Sequence, residues 1–192
     1  MTELLSPTLK DEELVRESIK DPGSYGFLME RYADKLSRYI YRLARLSEDD
    51  AKDILQESFI KAYQNLNDFD QTLKFSSWIY RIVHNQTISF LRKKKPTISI
   101  APYTEGEETT GILEDLKADT DIELETEAKI NGEKLKKELG TLEEKYRSIL
   151  ILRYMEEKDY KEISDILKIP IGTVGTLMSR AKKKLAEKIK AK

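Results

Sequence analysis

Tyr160-Lys161-Glu162-Ile163-Ser164-Asp165-Ile166-Leu167 is a short amphipathic run, Lys168-Ile169-Pro170-Ile171-Gly172 a tight turn, and Thr173-Val174-Gly175-Thr176-Leu177-Met178-Ser179-Arg180-Ala181 opens a longer run. Proline suits the first turn of a helix, where its missing N–H would have no partner anyway. The pattern therefore predicts helix, turn, helix. At about 100° per residue, Val174, Met178, Ala181 and Leu185 fall on one face, the core face. Thr176, Ser179 and Lys183 point the opposite way, with Arg180 beside them. Small polar residues next to Arg and Lys suit base edges and phosphates, and the second helix of such a motif enters the major groove of DNA. The plain alternative is a helical hairpin with a solvated, charged face.

Just upstream, residues 133–139 and 142–155 read as two more helices. Thr141 with Glu144 and Asp159 with Glu162 have the spacing of N-terminal caps. Further upstream, residues 96–130 break the pattern with Pro96, Pro102, Gly106 and Gly111 and a Thr/Glu-rich stretch. They read as a flexible acidic linker. Residues 27–95 contain no glycine and no proline, and they divide into apolar stripes of helical period. Leu28, Tyr32, Leu36, Tyr39/Ile40 and Leu43 form the first. Ala51, Leu55, Phe59, Ala62 and Leu66 form the second, which starts at a cap on Ser47. A third helix spans roughly 73–93, and a shorter one, Asp11–Lys20, leads the chain. The expected fold is all-α: two small helical domains, residues 1–95 and 131–192, joined by the linker 96–130.

The net charge of −1 hides a segregation. Residues 96–130 carry ten acids and two bases, or −8, which leaves +7 on the rest. Much of that sits at Arg81 and Arg92-Lys93-Lys94-Lys95, and in the last fifteen residues, where Arg180, Lys182, Lys183, Lys184, Lys188, Lys190 and Lys192 face Glu187 alone. Clustered cations attract a polyanion through Coulomb force and counterion release, although basic helix ends also serve solubility. On the third helix, Arg81, Asn85 and Arg92 form a polar stripe opposite Ile79, Val83 and Phe90, with Trp78 and Ser89 at its border. The loop before it holds Phe69 among polar residues. Aromatic, amide and basic side chains together are what single-stranded nucleic acid needs; Trp78 as core and Asn85 as solvated surface is the bland reading.

Other classes drop out. Zero cysteines exclude a disulfide framework and thiol chemistry. One histidine, His84, excludes a multi-histidine site and reads as a satisfied or exposed helix residue. No glycine-rich phosphate loop is present, so neither enzyme activity nor a metal or cofactor is expected. The longest apolar run, Ile149-Leu150-Ile151-Leu152, falls far short of a membrane span, and residues 1–30 carry no signal-peptide pattern. A soluble, cytoplasmic chain is the expectation.

Two blocks carry a family resemblance. Asp53-Ile54-Leu55-Gln56-Glu57-Ser58-Phe59-Ile60-Lys61-Ala62-Tyr63, followed by Phe75-Ser76-Ser77-Trp78-Ile79-Tyr80-Arg81-Ile82-Val83-His84-Asn85, resembles region 2 of the extracytoplasmic-function (ECF) RNA polymerase sigma factors, a branch of the sigma-70 family. The helix-turn-helix resembles their region 4. The resemblance implies a transcription-initiation subunit whose partners are core RNA polymerase and promoter DNA; family members are often held by an anti-sigma factor as well. It implies that Asp53, Leu55, Gln56, Glu57 and Phe59 meet the polymerase. Phe69 and Asn85 match positions facing the flipped-out base of the −10 element, supported by Trp78, Arg81 and Ser89, with Arg92 and Lys93 on phosphates. Thr173, Gly175, Thr176, Ser179, Arg180 and Lys183 would meet the −35 element. The chain departs from the family there: Gly175 and Thr176 stand where a basic and a polar residue are usual, and Leu177 replaces a common arginine. Rival readings are a stand-alone helix-turn-helix regulator and a helical adaptor that binds no DNA. The linker reaches at most about 115 Å and about 33 Å r.m.s. as a coil, against roughly 70 Å for two DNA turns.

Overall fold

Leucine and lysine are frequent in both halves of the chain, and straight-chain residues lose little freedom on entering a helix. The computed structural model describes residues 9–93 and 132–190, and within them every regular element is helical. These are α1 (Asp11–Lys20), α2 (Tyr25–Ala44), α3 (Glu48–Gln64), α4 (Phe75–Lys93), α5 (Gly132–Gly140), α6 (Glu144–Leu150), α7 (Tyr160–Leu167) and α8 (Ile171–Lys190). Single 3-10 turns occupy Pro22–Ser24 and Leu66–Asp68, and a π turn spans Ile151–Met155. The acidic linker 96–130 and the basic residues Lys94, Lys95 and Lys192 lie outside the described residues. The chain separates into two compact units, one carrying α1–α4 and the other α5, α6, α8 and most of α7.

In the first unit each helix is started or stopped by local chemistry. Asp21 accepts from the Gly23 N–H at 3.1 Å and turns the chain between α1 and α2. Arg45 ends α2 in the left-handed region at φ 49°, its N–H donating to the Tyr41 carbonyl. Ser47 caps α3 by accepting from the Asp50 N–H, and Glu48, Asp49 and Asp50 set negative charge against the positive end of the helix dipole. The first stripe is buried as read, from Leu28 through Leu43. On α3 the buried face is Ala51, Ile54, Ser58, Phe59 and Ala62, so Leu55 is half-exposed rather than core. Each fully buried leucine or isoleucine here contributes about 1.5–3 kcal/mol relative to exposure. Arg31 ties α2 to the chain start through the Leu9 carbonyl at 3.0 Å and the Asp11 carboxylate at 2.6 Å, and the Tyr32 hydroxyl also donates to Asp11.

In the second unit, Leu135, Leu139, Tyr146, Ile149, Leu150, Val174, Met178, Ala181 and Leu185 are buried, and α8 packs on α5 and α6. The Thr141 cap is a correction to the sequence reading. The Thr141 hydroxyl donates to the Glu138 carbonyl at 2.8 Å, closing α5, and Glu143 takes the cap position of α6 without a side-chain bond. A threonine three residues past a helical carbonyl is close enough to satisfy that orphan acceptor first. The Asp159–Glu162 box forms as read: the Glu162 N–H donates to Asp159 Oδ1 at 2.7 Å and the Asp159 N–H to Glu162 Oε2 at 3.0 Å. Among the described residues no helix is long and apolar enough to cross a membrane, and no acidic or histidine cluster could hold a metal ion.

His84 is buried on α4, with Nδ1 2.8 Å from the Tyr39 hydroxyl on α2 and its ring against the Tyr39 ring. Burial, helped by the positive charge of Arg92, pushes its pKa down to about 4. The unfolded chain binds this proton near 6.5, so stability from the neutral imidazole is complete above pH 6.5 and declines as pH falls toward 4. The cost is about 2 kcal/mol at pH 5. An NMR titration of the imidazole is expected to give a midpoint near 4; a midpoint near 6.5 would contradict the burial.

Candidate functional site

Rotation about the helix axis decides which α3 side chains meet solvent. Asp53, Gln56, Glu57 and Ile60 follow at helical spacing and are all exposed, Ile60 to 50%. Leu55 lies half-exposed at the edge of this face. Gln86 on α4 approaches Glu57 at 3.5 Å, so the carboxylate keeps its place beside the neighbouring helix. Phe59 is buried as its place in the second stripe predicts, unlike the polymerase contact that the resemblance implies: it is only 5% exposed, and its carbonyl accepts the Tyr25 hydroxyl at 2.9 Å. A ring enclosed in the core offers no area to a partner, so Phe59 shapes the face from behind. Ile60 and Tyr63, both exposed, are the apolar groups that sequence reading missed. The i, i+3, i+4, i+7 series running from Asp53 through Gln56 and Glu57 to Ile60 was the available signal.

The segment between α3 and α4 is held at three points. The Asn65 side-chain amide donates to the Lys61 carbonyl at 2.7 Å. Phe69 inserts its ring among Phe75 and Trp78, with centroids 5.8 and 5.1 Å away, and Phe75 in turn meets Tyr32 edge-on at 5.6 Å. Asp70 Oδ1 accepts from both the Thr72 N–H (2.9 Å) and its hydroxyl (2.7 Å), an Asx turn that leads into α4. Phe69 is 6% exposed and Trp78 9%. Their burial departs from the picture of an open stacking surface: packing against Phe75 wins over exposure to solvent, because edge-on and tilted aromatic contacts add to simple area burial. What the loop shows to solvent is Asn67, Asp68, Asp70, Gln71 and Thr72.

Along α4, Asn85, Ser89 and Arg92 lie on one exposed stripe with Lys93 at its end, and Arg81 is half-buried one turn before Asn85. The stripe therefore offers an amide, a hydroxyl and terminal cations in sequence. Ile79 and Val83 are fully buried on the opposite face, whereas Phe90 is half-exposed.

In the second unit, the Ser164 hydroxyl donates to the Ile169 carbonyl at 2.6 Å and closes the turn between α7 and α8. Lys168 takes the left-handed conformation at φ 54°. Thr173, Thr176, Ser179, Arg180 and Lys183 are all exposed on α8, with Val174, Met178, Ala181 and Leu185 behind them. The Thr176 hydroxyl donates back to the Gly172 carbonyl at 3.2 Å. A methyl added at Gly175 would meet only the Tyr160 ring edge at 3.9 Å, an ordinary contact. Nothing inside the described fold demands glycine there. Lys182 differs from its basic neighbours in being buried.

Known proteins share these features in the same order. Residues 28–97 match the family model "Sigma-70 region 2", and residues 132–185 match "Sigma-70, region 4". The ECF RNA polymerase sigma factor SigW of Bacillus subtilis is 32% identical over 185 residues, covering 93% of this chain and 98% of that protein. The ECF RNA polymerase sigma-E factor of Escherichia coli K12 is 29% identical over 190 residues, covering 96% of this chain and 97% of that one. Among solved structures, CnrH in complex with the cytosolic domain of CnrY matches with a TM-score of 0.67 at 20% identity, over 94% of this chain and 97% of that one. The sigma factor RpoE of Bartonella quintana, in complex with the anti-sigma factor NepR, matches with a TM-score of 0.59 at 21% identity, over 84% of this chain and 94% of that one. Two sigma-70 regions in this order define a promoter-specificity subunit of RNA polymerase. The chain belongs to the ECF sigma factors of the sigma-70 family.

The Asx turn gives a direct test of the loop's architecture. Asp70→Ala removes both acceptor contacts, each worth about 1 kcal/mol, and should speed amide hydrogen exchange at Thr72 about fivefold to tenfold. Asp70→Asn keeps an acceptor oxygen in place and should exchange like the wild type. Equal exchange in all three proteins would mean that the side chain does not hold the turn.

Proposed function

We propose that this ECF sigma factor, with no catalytic chemistry of its own, docks on core RNA polymerase through the outer face of α3 and grips promoter DNA at two points. It works in the cytoplasm, where polymerase and promoter meet. Residues 1–95 serve as the polymerase-docking and −10 domain, 96–130 as an acidic tether, and 131–192 as the −35 domain. The observation that carries the reading is the outward row on α3. Asp53, Gln56 and Glu57 offer acceptors and an amide to a basic partner, while Leu55, Ile60 and Tyr63 offer area to desolvate at the centre of the contact.

Promoter opening falls to the loop and α4. Extruding a base costs a few kcal/mol, offset by contacts in a pocket. Asn85 carries a donor and an acceptor on one amide, which suits a Watson–Crick edge. The buried Phe69 and Trp78 support the loop that borders this stripe, Arg81 and Ser89 extend the polar surface, and Arg92 and Lys93 hold phosphates. In the second unit, the exposed face of α8 meets the −35 element. With glycine at 175 and no arginine at 177, direct readout rests on Thr173, Thr176 and Ser179, and on DNA shape, while Arg180 and Lys183 hold the backbone. A stand-alone helix-turn-helix regulator is not favoured, because such a protein has no need of a region 2 spanning residues 28–97. The RpoE structure contains an anti-sigma factor, and a protein of that class is proposed as a partner here too.

Three substitutions separate the roles. Gln56→Ala should weaken binding to core polymerase about tenfold and leave the melting temperature of the free protein unchanged. Asn85→Ala should bind the polymerase like the wild type but open promoter DNA at least about tenfold more slowly. Phe59→Ala should destabilise the first unit by about 3–5 kcal/mol, the cost of a cavity left by a buried ring. Binding assays, open-complex kinetics and thermal melts read the three effects. Equal loss of polymerase binding and opening in both Gln56→Ala and Asn85→Ala would refute the division of labour.

A further inference from the structure

We propose that Asp11, on α1, is a positioning residue for promoter opening: by fixing the Tyr32 ring it holds the loop between α3 and α4 in shape. The proposal rests on the promoter-opening reading of the first unit. From sequence, α1 is only the helix that leads the chain, and Tyr32 is one member of a core stripe. Their contacts give both a further task.

Two α2 side chains converge on one carboxylate. Asp11 Oδ1 accepts from Arg31 Nη1 at 2.6 Å, and Oδ2 accepts from the Tyr32 hydroxyl. Arg31 Nη1 also donates to the Leu9 carbonyl at 3.0 Å, so the guanidinium grips the backbone just before α1 as well as a side chain in its first turn. The Asp11 and Arg31 side chains are 22% and 27% exposed, which spares the pair much of the screening that weakens surface ion pairs. Burial, with the bond to Asp11, pushes the Tyr32 pKa far up, so its hydroxyl stays a donor.

Tyr32 stands at the head of a row of rings. It meets Phe75 edge-on at 5.6 Å; Phe75 lies 5.8 Å from Phe69 and 5.7 Å from Trp78. Phe69 plugs the loop from within, and its N–H closes the 3-10 turn on the Leu66 carbonyl at 3.3 Å. α1 also packs directly on that turn, Leu66–Asp68, and on α4. The first helix thus reaches the loop by two routes, through the turn and through the rings. Ring contacts depend on angle as well as area, and the hydrogen bond at the far end of Tyr32 fixes the angle at which the row begins. A carboxylate is repelled by DNA phosphates, so Asp11 acts through Tyr32 and not by touching the promoter. None of these contacts uses an outward side chain of α3.

The test compares wild type with Asp11→Ala, Asp11→Asn, Tyr32→Phe, Val15→Ala and Asn85→Ala. Trp78 is the single tryptophan of the chain, so acrylamide quenching of its fluorescence in the free, full-length protein reads the row of rings. Opening is followed by permanganate reactivity of unpaired thymines, with reconstituted holoenzyme on a promoter fragment that the wild type selects from random sequence. Asp11→Ala and Tyr32→Phe should raise the quenching about twofold and slow opening about fivefold to tenfold, the loss of one hydrogen bond, with affinity for core polymerase unchanged. Asp11→Asn keeps an acceptor for the Tyr32 hydroxyl and should restore wild-type quenching and most of the opening rate. Val15→Ala leaves a cavity beneath α1 and lowers stability, yet well below its melting temperature it should quench and open like the wild type. Opening as slow in Val15→Ala as in Asp11→Ala would reduce the anchor to general support of α1 and overturn the proposal. Unchanged quenching or unchanged opening in both Asp11→Ala and Tyr32→Phe would overturn it too. If Asn85→Ala slows opening and Asp11→Ala does not, the anchor alone fails. If wild-type holoenzyme binds the fragment but exposes no thymines, the promoter-opening reading fails with it.

Discussion

The inward lock of Phe59 governs the first unit. With the ring in the core and its carbonyl taken by the Tyr25 hydroxyl at 2.9 Å, α3 has no freedom to turn about its axis. One residue of helix is about 100° of rotation, so this single anchor decides that Ile54 points in and that Asp53, Gln56, Glu57 and Ile60 point out. A docking surface made of side chains from one helix face needs no induced fit in its backbone. The ordering entropy of the helix has already been spent in folding the core.

The same economy appears in the segment leading into α4. Phe69, Phe75, Trp78 and Tyr32 form a chain of ring contacts that holds the loop from within, beside the side-chain hydrogen bonds of Asn65 and Asp70. Asn67, Asp68 and Gln71 are left open to solvent. Asp70 would repel nucleic acid as a bare carboxylate; two donors from Thr72 draw on its charge. Buried aromatic packing thus holds the loop in one shape, which on the proposed reading is a physical basis for discriminating between bases.

The helical architecture was legible because period and punctuation agreed: the stripe from Leu28 to Leu43 and the face from Val174 to Leu185 are buried as spacing alone predicts. Ambiguity arose where two adjacent apolar residues compete for one face. Ile54-Leu55 and Phe59-Ile60 each put one residue in and one out, and only packing against α2 and α4 decides which. Phe69 misled in another way, since an aromatic within a polar loop reads equally as a stacking platform or as a plug, and Trp78 at the border of the α4 stripe carried the same two readings. The Thr141 cap failed because its hydroxyl closes α5 on the Glu138 carbonyl, while Glu143 takes the cap position of α6. The π turn at Ile151–Met155 had no sequence signal, for it contains no glycine, proline or other breaker.

The central claim is that the outer face of α3 is the polymerase contact and that the exposed faces of α4 and α8 are reserved for DNA. Side-chain footprinting of the protein alone, bound to core polymerase, and in an open promoter complex tests it most directly. The account predicts that Leu55, Gln56, Ile60 and Tyr63 become protected on polymerase binding, while Asn85, Thr176 and Ser179 become protected only when promoter DNA is added. Protection of α8 by polymerase alone, with α3 left as accessible as in the free protein, would contradict it.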